Sequence, residues 1–211
     1  MTVGTQHPQL WESVYNVLSS RILSGEYEPG LRLVETDLAE ELSTSRGPIR
    51  SAFRELQRDG LVESDRRRGT FVARLSTEDI DELFSLRAAV ETLAVQRAIE
   101  RVTAADIQQL RMLVGEIDEF QDDLHHSLEA DMAFHRAIYE LAQHRRLLDV
   151  WNTMEAQIRA VAAAVAMIDS HVVHGSSSAH YELMDAIAAR DARAGAQAVA
   201  RHLKEARKTY S

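Results

Sequence analysis

Hydrophobic and polar positions follow two periods along this chain, and the change between them organises it. Residues 9–24 carry Leu10, Val14, Val17, Leu18, Ile22 and Leu23 at helical spacing. Gly25 stops that pattern, and Pro29-Gly30 forms a turn before a short extended piece, Leu31-Arg32-Leu33. Residues 35–42 read as a second helix with Leu38, Ala39 and Leu42 inward. Ser43-Thr44-Ser45 breaks it and offers N-cap hydroxyls to a third helix over 46–58. Pro48 fits the first turn of that helix, where no amide hydrogen is needed, and Ile49, Ala52, Phe53 and Leu56 form its inner stripe. Gly60 stands where a left-handed cap residue is expected. The period then shortens: 61–64 and 70–73 predict two strands, joined by the polar loop Asp65-Arg66-Arg67-Arg68-Gly69.

From Thr77 onward the pattern is helical throughout, with helices expected near 77–101, 103–121, 126–143, 146–169, 177–190 and 192–209. Thr77 with Glu78 and Asp79, and Thr103 with Asp106, are expected as N-terminal caps. No proline follows Pro48, which suits a bundle. The predicted fold is mainly α. Residues 1–75 form a winged helix-turn-helix of three helices and a β-hairpin wing, and 76–211 an all-helical bundle of about six helices.

Charge supports that division. The chain carries a net charge of −9, which argues against nucleic acid if read as a whole. Between Ser43 and Arg74, however, eight arginines face four acids, a local +4, while Leu75 to the end balances at −8. A basic patch on an acidic protein is what a DNA-reading module attached to a non-DNA domain produces. There is no cysteine, so disulfides, thiolate metal sites and cysteine nucleophiles are excluded. The longest apolar run, 160–168, is too short for a membrane span, and the first residues lack a signal-peptide pattern. A cytoplasmic location is therefore expected.

On the third helix Arg46, Arg50 and Arg54 recur every four residues and line one outward stripe opposite the apolar one. Arginine's planar fork matches the acceptors of guanine in the major groove. Ser45 and the free amides near it suit a phosphate, and Arg68 and Gly69 in the hairpin loop suit an adjacent groove. A solvated arginine face is the alternative for the stripe alone. Helix, break, helix and basic hairpin together favour double-stranded DNA. Reading a palindromic operator then calls for a homodimer.

Among nine histidines, three stand out with one carboxylate. Asp131 and His135 are four apart and share a helix face. His180 and His202 lie at equal distances before and after Asp191, so an antiparallel hairpin turning there sets them side by side. One carboxylate and three imidazoles suit zinc first, with nickel, manganese or iron also compatible. Hydrogen-bonded core histidines are the alternative. Arg87 lies in a helix read as apolar around Leu83, Leu86, Val90 and Leu93. It either points into a cavity to clasp a carboxylate or pairs with Glu91 one turn on. A metal-dependent hydrolase using the Asp/His cluster and an architectural DNA binder without sensing are the competing functions. No separate general base accompanies the cluster, so no enzyme is expected.

Over residues 10–75 the chain resembles the GntR-family DNA-binding module. The resemblance rests on Pro29-Gly30, Arg32-Leu33, Leu38-Ala39, Ser45-Arg46, Pro48-Ile49-Arg50, Leu56, Gly60-Leu61-Val62 and Arg68-Gly69. It implies that Arg46 and Arg50 read bases, Arg32 and Arg54 hold phosphates, and Gly69 sits at the wing tip in the minor groove. The remainder resembles the FCD effector domain of the FadR branch, through Leu86-Arg87 with Glu91, through Asp131, Phe134 and His135, and through His180, Ala186-Ile187, Asp191, Ala194 and His202-Leu203. It implies a divalent metal on Asp131, His135, His180 and His202, helping to hold a small carboxylate effector that Arg87 also contacts. It further implies a transcription repressor that this metabolite releases or alters. Where such domains carry an asparagine after the histidine helix, this chain has Gln143-His144-Arg145-Arg146.

Overall fold

The computed structural model describes residues 10–65, 67–120, 123–168 and 177–209. Arg66 of the hairpin loop and the N-terminal residues 1–9 lie outside the described residues. The chain divides into two compact units: Met1–Arg74 with Ala156–Met167, and Leu75–Glu155 with Ile168–Ser211. The sequence pattern assigned all of 76–211 to one unit. Residues 156–167 instead group with the first, where Ala156 and Ala160 lie against its apolar core.

In the first unit, α1 (Leu10–Leu23), α2 (Glu35–Glu41) and α3 (Arg46–Arg58) surround a core of Val14, Leu18, Ile22, Leu38, Ile49, Ala52, Phe53 and Leu56. The buried positions of α1 and α3 recur at three- and four-residue spacing, so each helix shows one apolar face inward. Gly60 takes φ +72°, the left-handed conformation that lets the chain leave α3 and enter the sheet at Val62. Strands β1 (Arg32–Leu33), β2 (Val62–Asp65) and β3 (Gly69–Val72) form an antiparallel sheet in the order β1-β3-β2. Phe71 pairs with both Arg32 and Glu63, and Asp65 pairs with Gly69 at the tip. This is the winged helix-turn-helix that the change of period predicts. One detail differs: Ser45 is the N-cap of α3, but its side chain makes no cap hydrogen bond.

The second unit is helical among the described residues. It comprises α4 (Thr77–Arg101), α5 (Ala104–Glu119), α6 (Leu124–Leu141), the first part of α7 (Arg145–Ile168), α8 (Ser177–Ala188) and α9 (Ala192–Thr209). Helix α4 packs on α6, α8 and α9, while α5 packs on α6 and α8. Two capping boxes start α4 and α5, Ser76 with Asp79 and Thr103 with Asp106. The first cap lies one residue before the expected Thr77. At the start of α7, His144 Nδ1 accepts the Leu147 amide at 3.3 Å, so this histidine caps the helix. Between α8 and α9 the chain reverses through Arg190, at φ +55°, and Asp191 caps α9 by accepting the Ala194 amide at 2.9 Å. Arg190 Nη2 donates to the Val102 carbonyl at 2.5 Å, pinning that corner to the end of α4.

Candidate nucleic-acid interface and candidate metal centre

Arg46, Arg50 and Arg54 are all exposed, on the side of α3 opposite Ile49, Ala52, Phe53 and Leu56. Arg50 and Arg54 line a groove with Glu35, Gly47, Ser51, Ser64 and Thr70, so the helix and the wing strands meet along one surface. Glu35 lies 3.9 Å from Arg50 Nε, and Arg54 Nη2 donates to Ser51 Oγ at 3.0 Å. Neither contact buries its guanidinium, and both arginines are free to swing outward. Arg32 is exposed on β1 beside the wing. The wing tip is shaped by Asp65, whose Oδ1 accepts the amides of Arg67 at 2.7 Å and Arg68 at 2.9 Å. These two bonds hold the Asp65 carboxyl below its ordinary range. Gly69 follows at φ +104°, a conformation that side chains disfavour. Arg68 projects to solvent, 3.5 Å from Asp65.

In the second unit α6 carries Asp131 and His135, α8 carries His180 and α9 carries His202. One potential ligand atom from each lies within 4.8 Å of all the others. His180 Nε2 stands 2.6 Å from Asp131 Oδ1, and the Nε2 atoms of His135 and His202 are 3.0 Å apart. The three imidazoles are buried, and Phe134 covers His135 and His180 edge-on. The equal spacing about Asp191 does bring His180 and His202 together, with ring centroids 4.4 Å apart.

Sequence reasoning named Glu91 as a partner for Arg87 but missed its contact with His135. It is fully buried on α4, with Oε2 accepting from Arg87 Nε at 3.0 Å and Oε1 2.7 Å from His135 Nδ1. The signal available was a carboxylate inside the buried stripe of a helix. A carboxylate at Nδ1 favours the tautomer with its proton there, which turns the Nε2 lone pair of His135 toward His202. Either His202 donates into that lone pair, or both imidazoles share a cation. The donor set fits the second arrangement, since one nitrogen from each of three imidazoles and one carboxylate oxygen all lie within 4.8 Å of one another.

Arg87 is only 2% exposed and pairs with Glu91, so the ion-pair expectation describes it. Of the leucines expected inward around it, Leu83 is buried, but Leu86 and Leu93 are exposed. The Arg87 guanidinium also lies 5.6 Å over the Trp151 ring, and its buried Nη2 has no hydrogen-bond partner among the described residues. Burial raises the Glu91 carboxyl, but His135 and Arg87 overcome this and hold it at about 2. Burial likewise opposes ionisation of Asp131, yet His135, His180 and Arg87 keep it well below the carboxylate range. Burial pushes the His135 imidazole down, against the pull of Glu91. It pushes His202 well down, with His180 and His135 adding to the effect.

Comparison with known proteins agrees with this division of labour. Residues 10–72 match the family described as bacterial regulatory proteins, gntR family, and residues 82–205 match the FCD domain. The galactonate operon transcriptional repressor of Escherichia coli (strain K12) is 30% identical over 201 residues, covering 86% of this chain and 88% of that protein. An uncharacterized HTH-type transcriptional regulator of Bacillus subtilis (strain 168) is 34% identical over 139 residues, and the match spans 63% of this chain and 61% of its length. The crystal structure of a putative GntR transcriptional regulator from Rhodococcus sp. RHA1 is 30% identical, with a TM-score of 0.78 over 95% of this chain and 96% of its own. No helix among the described residues is long and apolar enough to cross a membrane. The chain therefore belongs to the GntR family of DNA-binding transcription regulators, with an FCD domain as its second part.

Proposed function

We propose that this regulator is a cytoplasmic homodimeric repressor that binds a palindromic operator and is released or altered by a small carboxylate metabolite seated beside a divalent cation. On the DNA side, Arg46 and Arg50 read base edges. Arg32, Ser45 and Arg54 hold phosphates, and Arg68 and Gly69 follow the adjacent groove. The reading is supported by the exposed arginines on one stripe of α3.

On the sensing side, Asp131, His135, His180 and His202 hold the cation, zinc being the best match to this donor set. The observation that carries this reading is the charge of the buried centre. Arg87 contributes one positive charge, and Glu91 and Asp131 contribute two negative ones. With the neutral imidazoles that metal ligation requires, the centre alone is net negative by one and a divalent cation makes it net positive by one. A single carboxylate then neutralises it. The cation would supply a Lewis-acidic seat for a carboxylate oxygen. Arg87, anchored by Glu91, offers its unpartnered Nη2 to the same anion. Trp151 and the packed aromatic rings exclude water from that exchange.

Elemental analysis of protein purified without chelator tests the centre. We expect one divalent ion per chain, lost in Asp131→Ala and His180→Ala. Metal-free wild-type protein from zinc-supplemented medium would overturn the reading. Effector and operator affinities are reciprocally linked. Native mass spectrometry identifies the co-purified anion, and equal affinity for it with and without operator would refute the coupling.

A further inference from the structure

Three buried polar atoms on neighbouring side chains have no hydrogen-bond partner among the described residues: Arg87 Nη2 on α4, Tyr139 Oη on α6 and Trp151 Nε1 on α7. Tyr139 and Trp151 are fully buried and stacked, with ring centroids 4.9 Å apart. Trp151 also lies 5.6 Å from the Arg87 guanidinium and 5.9 Å from the His135 ring. Tyr139 stands one turn beyond His135 on α6 and shares its face. Its phenol is pushed up by burial first and by the Glu91 carboxylate next, against Arg87. The hydroxyl is therefore within electrostatic reach of both.

Burying a hydroxyl and an indole N–H with nothing to bond is unfavourable, and buried tyrosine and tryptophan usually find a partner. Packing alone would be served as well by phenylalanine, without that penalty. An oxygen atom of a bound ligand removes the penalty.

The supply of acceptors indicates which kind of ligand. A carboxylate has two oxygens. One sits on the cation and the other takes Arg87 Nη2, so neither is left for Tyr139 or Trp151. A second carboxylate would bring more oxygens but also a second negative charge. The buried centre, with its cation, has only one positive charge to set against them. A hydroxyl or carbonyl oxygen has two lone pairs, enough to accept from both side chains, and adds no charge.

We propose that Tyr139 and Trp151 form an uncharged specificity subsite beside Arg87, in which the phenol and the indole N–H hold a hydroxyl or carbonyl oxygen of the effector, so that this chain selects hydroxy- or oxo-substituted monocarboxylates over plain ones. The proposal rests on the carboxylate-sensing reading above and names which carboxylates that site prefers.

Calorimetry on the zinc-loaded full chain tests it with matched acids: acetate against glycolate, propionate against lactate and pyruvate, and hexanoate against gluconate. At least one substituted acid should bind about tenfold or more tighter than its plain counterpart. Tyr139→Phe and Trp151→Phe keep a ring in place and remove only the polar atom's bond. Each should reduce that preference to about threefold or less, with zinc content and affinity for the plain acid unchanged. Should a variant unfold, the wild-type series still decides. Plain acids that bind wild type as tightly as substituted ones overturn the subsite, which is the result if a buried water serves both groups. Variants that weaken plain and substituted acids alike overturn it too, since the rings then only shape the pocket. Zinc-loaded wild-type protein that binds none of these acids overturns the sensing reading itself, and the subsite with it.

Discussion

Replacing Glu91 by leucine removes a carboxylate that touches both Arg87 and His135. The pair is out of solvent, at 2% and 0% exposure, so the guanidinium left behind cannot recover its hydration. Breaking one side of a buried ion pair costs about 3–5 kcal/mol. The Trp151 face, 5.6 Å from the guanidinium, returns only about 1 kcal/mol of that. At about 2–4 °C per kcal/mol for a chain of this size, the melting temperature falls by roughly 10 °C. The companion variant Arg87→Met with Glu91→Leu removes both charges and refills the volume with apolar atoms. It should regain all but about 1–1.5 kcal/mol, the loss of an acceptor for His135 Nδ1. Urea unfolding of chelator-treated protein measures this. In a Trp11→Phe background, Trp151 is the only tryptophan and reports on the second unit. If Glu91→Leu unfolds within 1 kcal/mol of wild type, or if the double variant is no more stable than the single, the buried pair does not organise this core.

Metal-free protein should lose stability as pH falls from 7 to 5. His135 and His202 bind protons less readily folded than unfolded, so the unfolded chain gains protons first, at up to about 1.4 kcal/mol per pH unit for each group. Below about pH 4 the loss continues, because unfolded carboxyls protonate while folded Glu91 stays ionised down to about 2; unchanged urea midpoints between pH 7.5 and 5.5 would contradict this. Arg50→Ala should cost about 1–3 kcal/mol on operator DNA and relax preference at one base pair, whereas an equal loss on all sequences would reassign Arg50 to a phosphate. Tyr139→Phe removes a buried hydroxyl that has no partner among the described residues, so the variant should be as stable as wild type or about 1 kcal/mol more so by urea midpoint; a loss above 1 kcal/mol would show that the hydroxyl is satisfied.

What the sequence made legible was local. Gly25, Pro29-Gly30 and Gly60 punctuate the first unit where the structure turns, because only certain residues tolerate those backbone angles. The four-residue spacing of Asp131 and His135, and the equal spacing of His180 and His202 about Asp191, gave a juxtaposition needing only helix geometry and one corner. The contact of Glu91 on α4 with His135 on α6 was not legible, because two separate helices meet there by tertiary packing. The face of α4 was only partly legible for the same reason: Leu83 lies inward as expected and the Arg87–Glu91 pair was one of the two readings, but Leu86 and Leu93, read as inward, are exposed. Nor does periodicity tell which unit residues 156–167 join, since it fixes which side of a helix is apolar and not what covers it.

The four clustered side chains come from distant parts of the chain: Asp131 and His180 are 49 residues apart, and His135 and His202 are 67 apart. A cation gripping all of them closes loops of those lengths and strips freedom from the unfolded chain, as a covalent cross-link does in secreted proteins. With no cysteine available, such a staple would be reversible and would need no disulfide chemistry, set instead by the free concentration of the ion. Metal scarcity would then loosen the regulator and expose it to proteolysis, so its abundance as well as its occupancy would follow the ion supply.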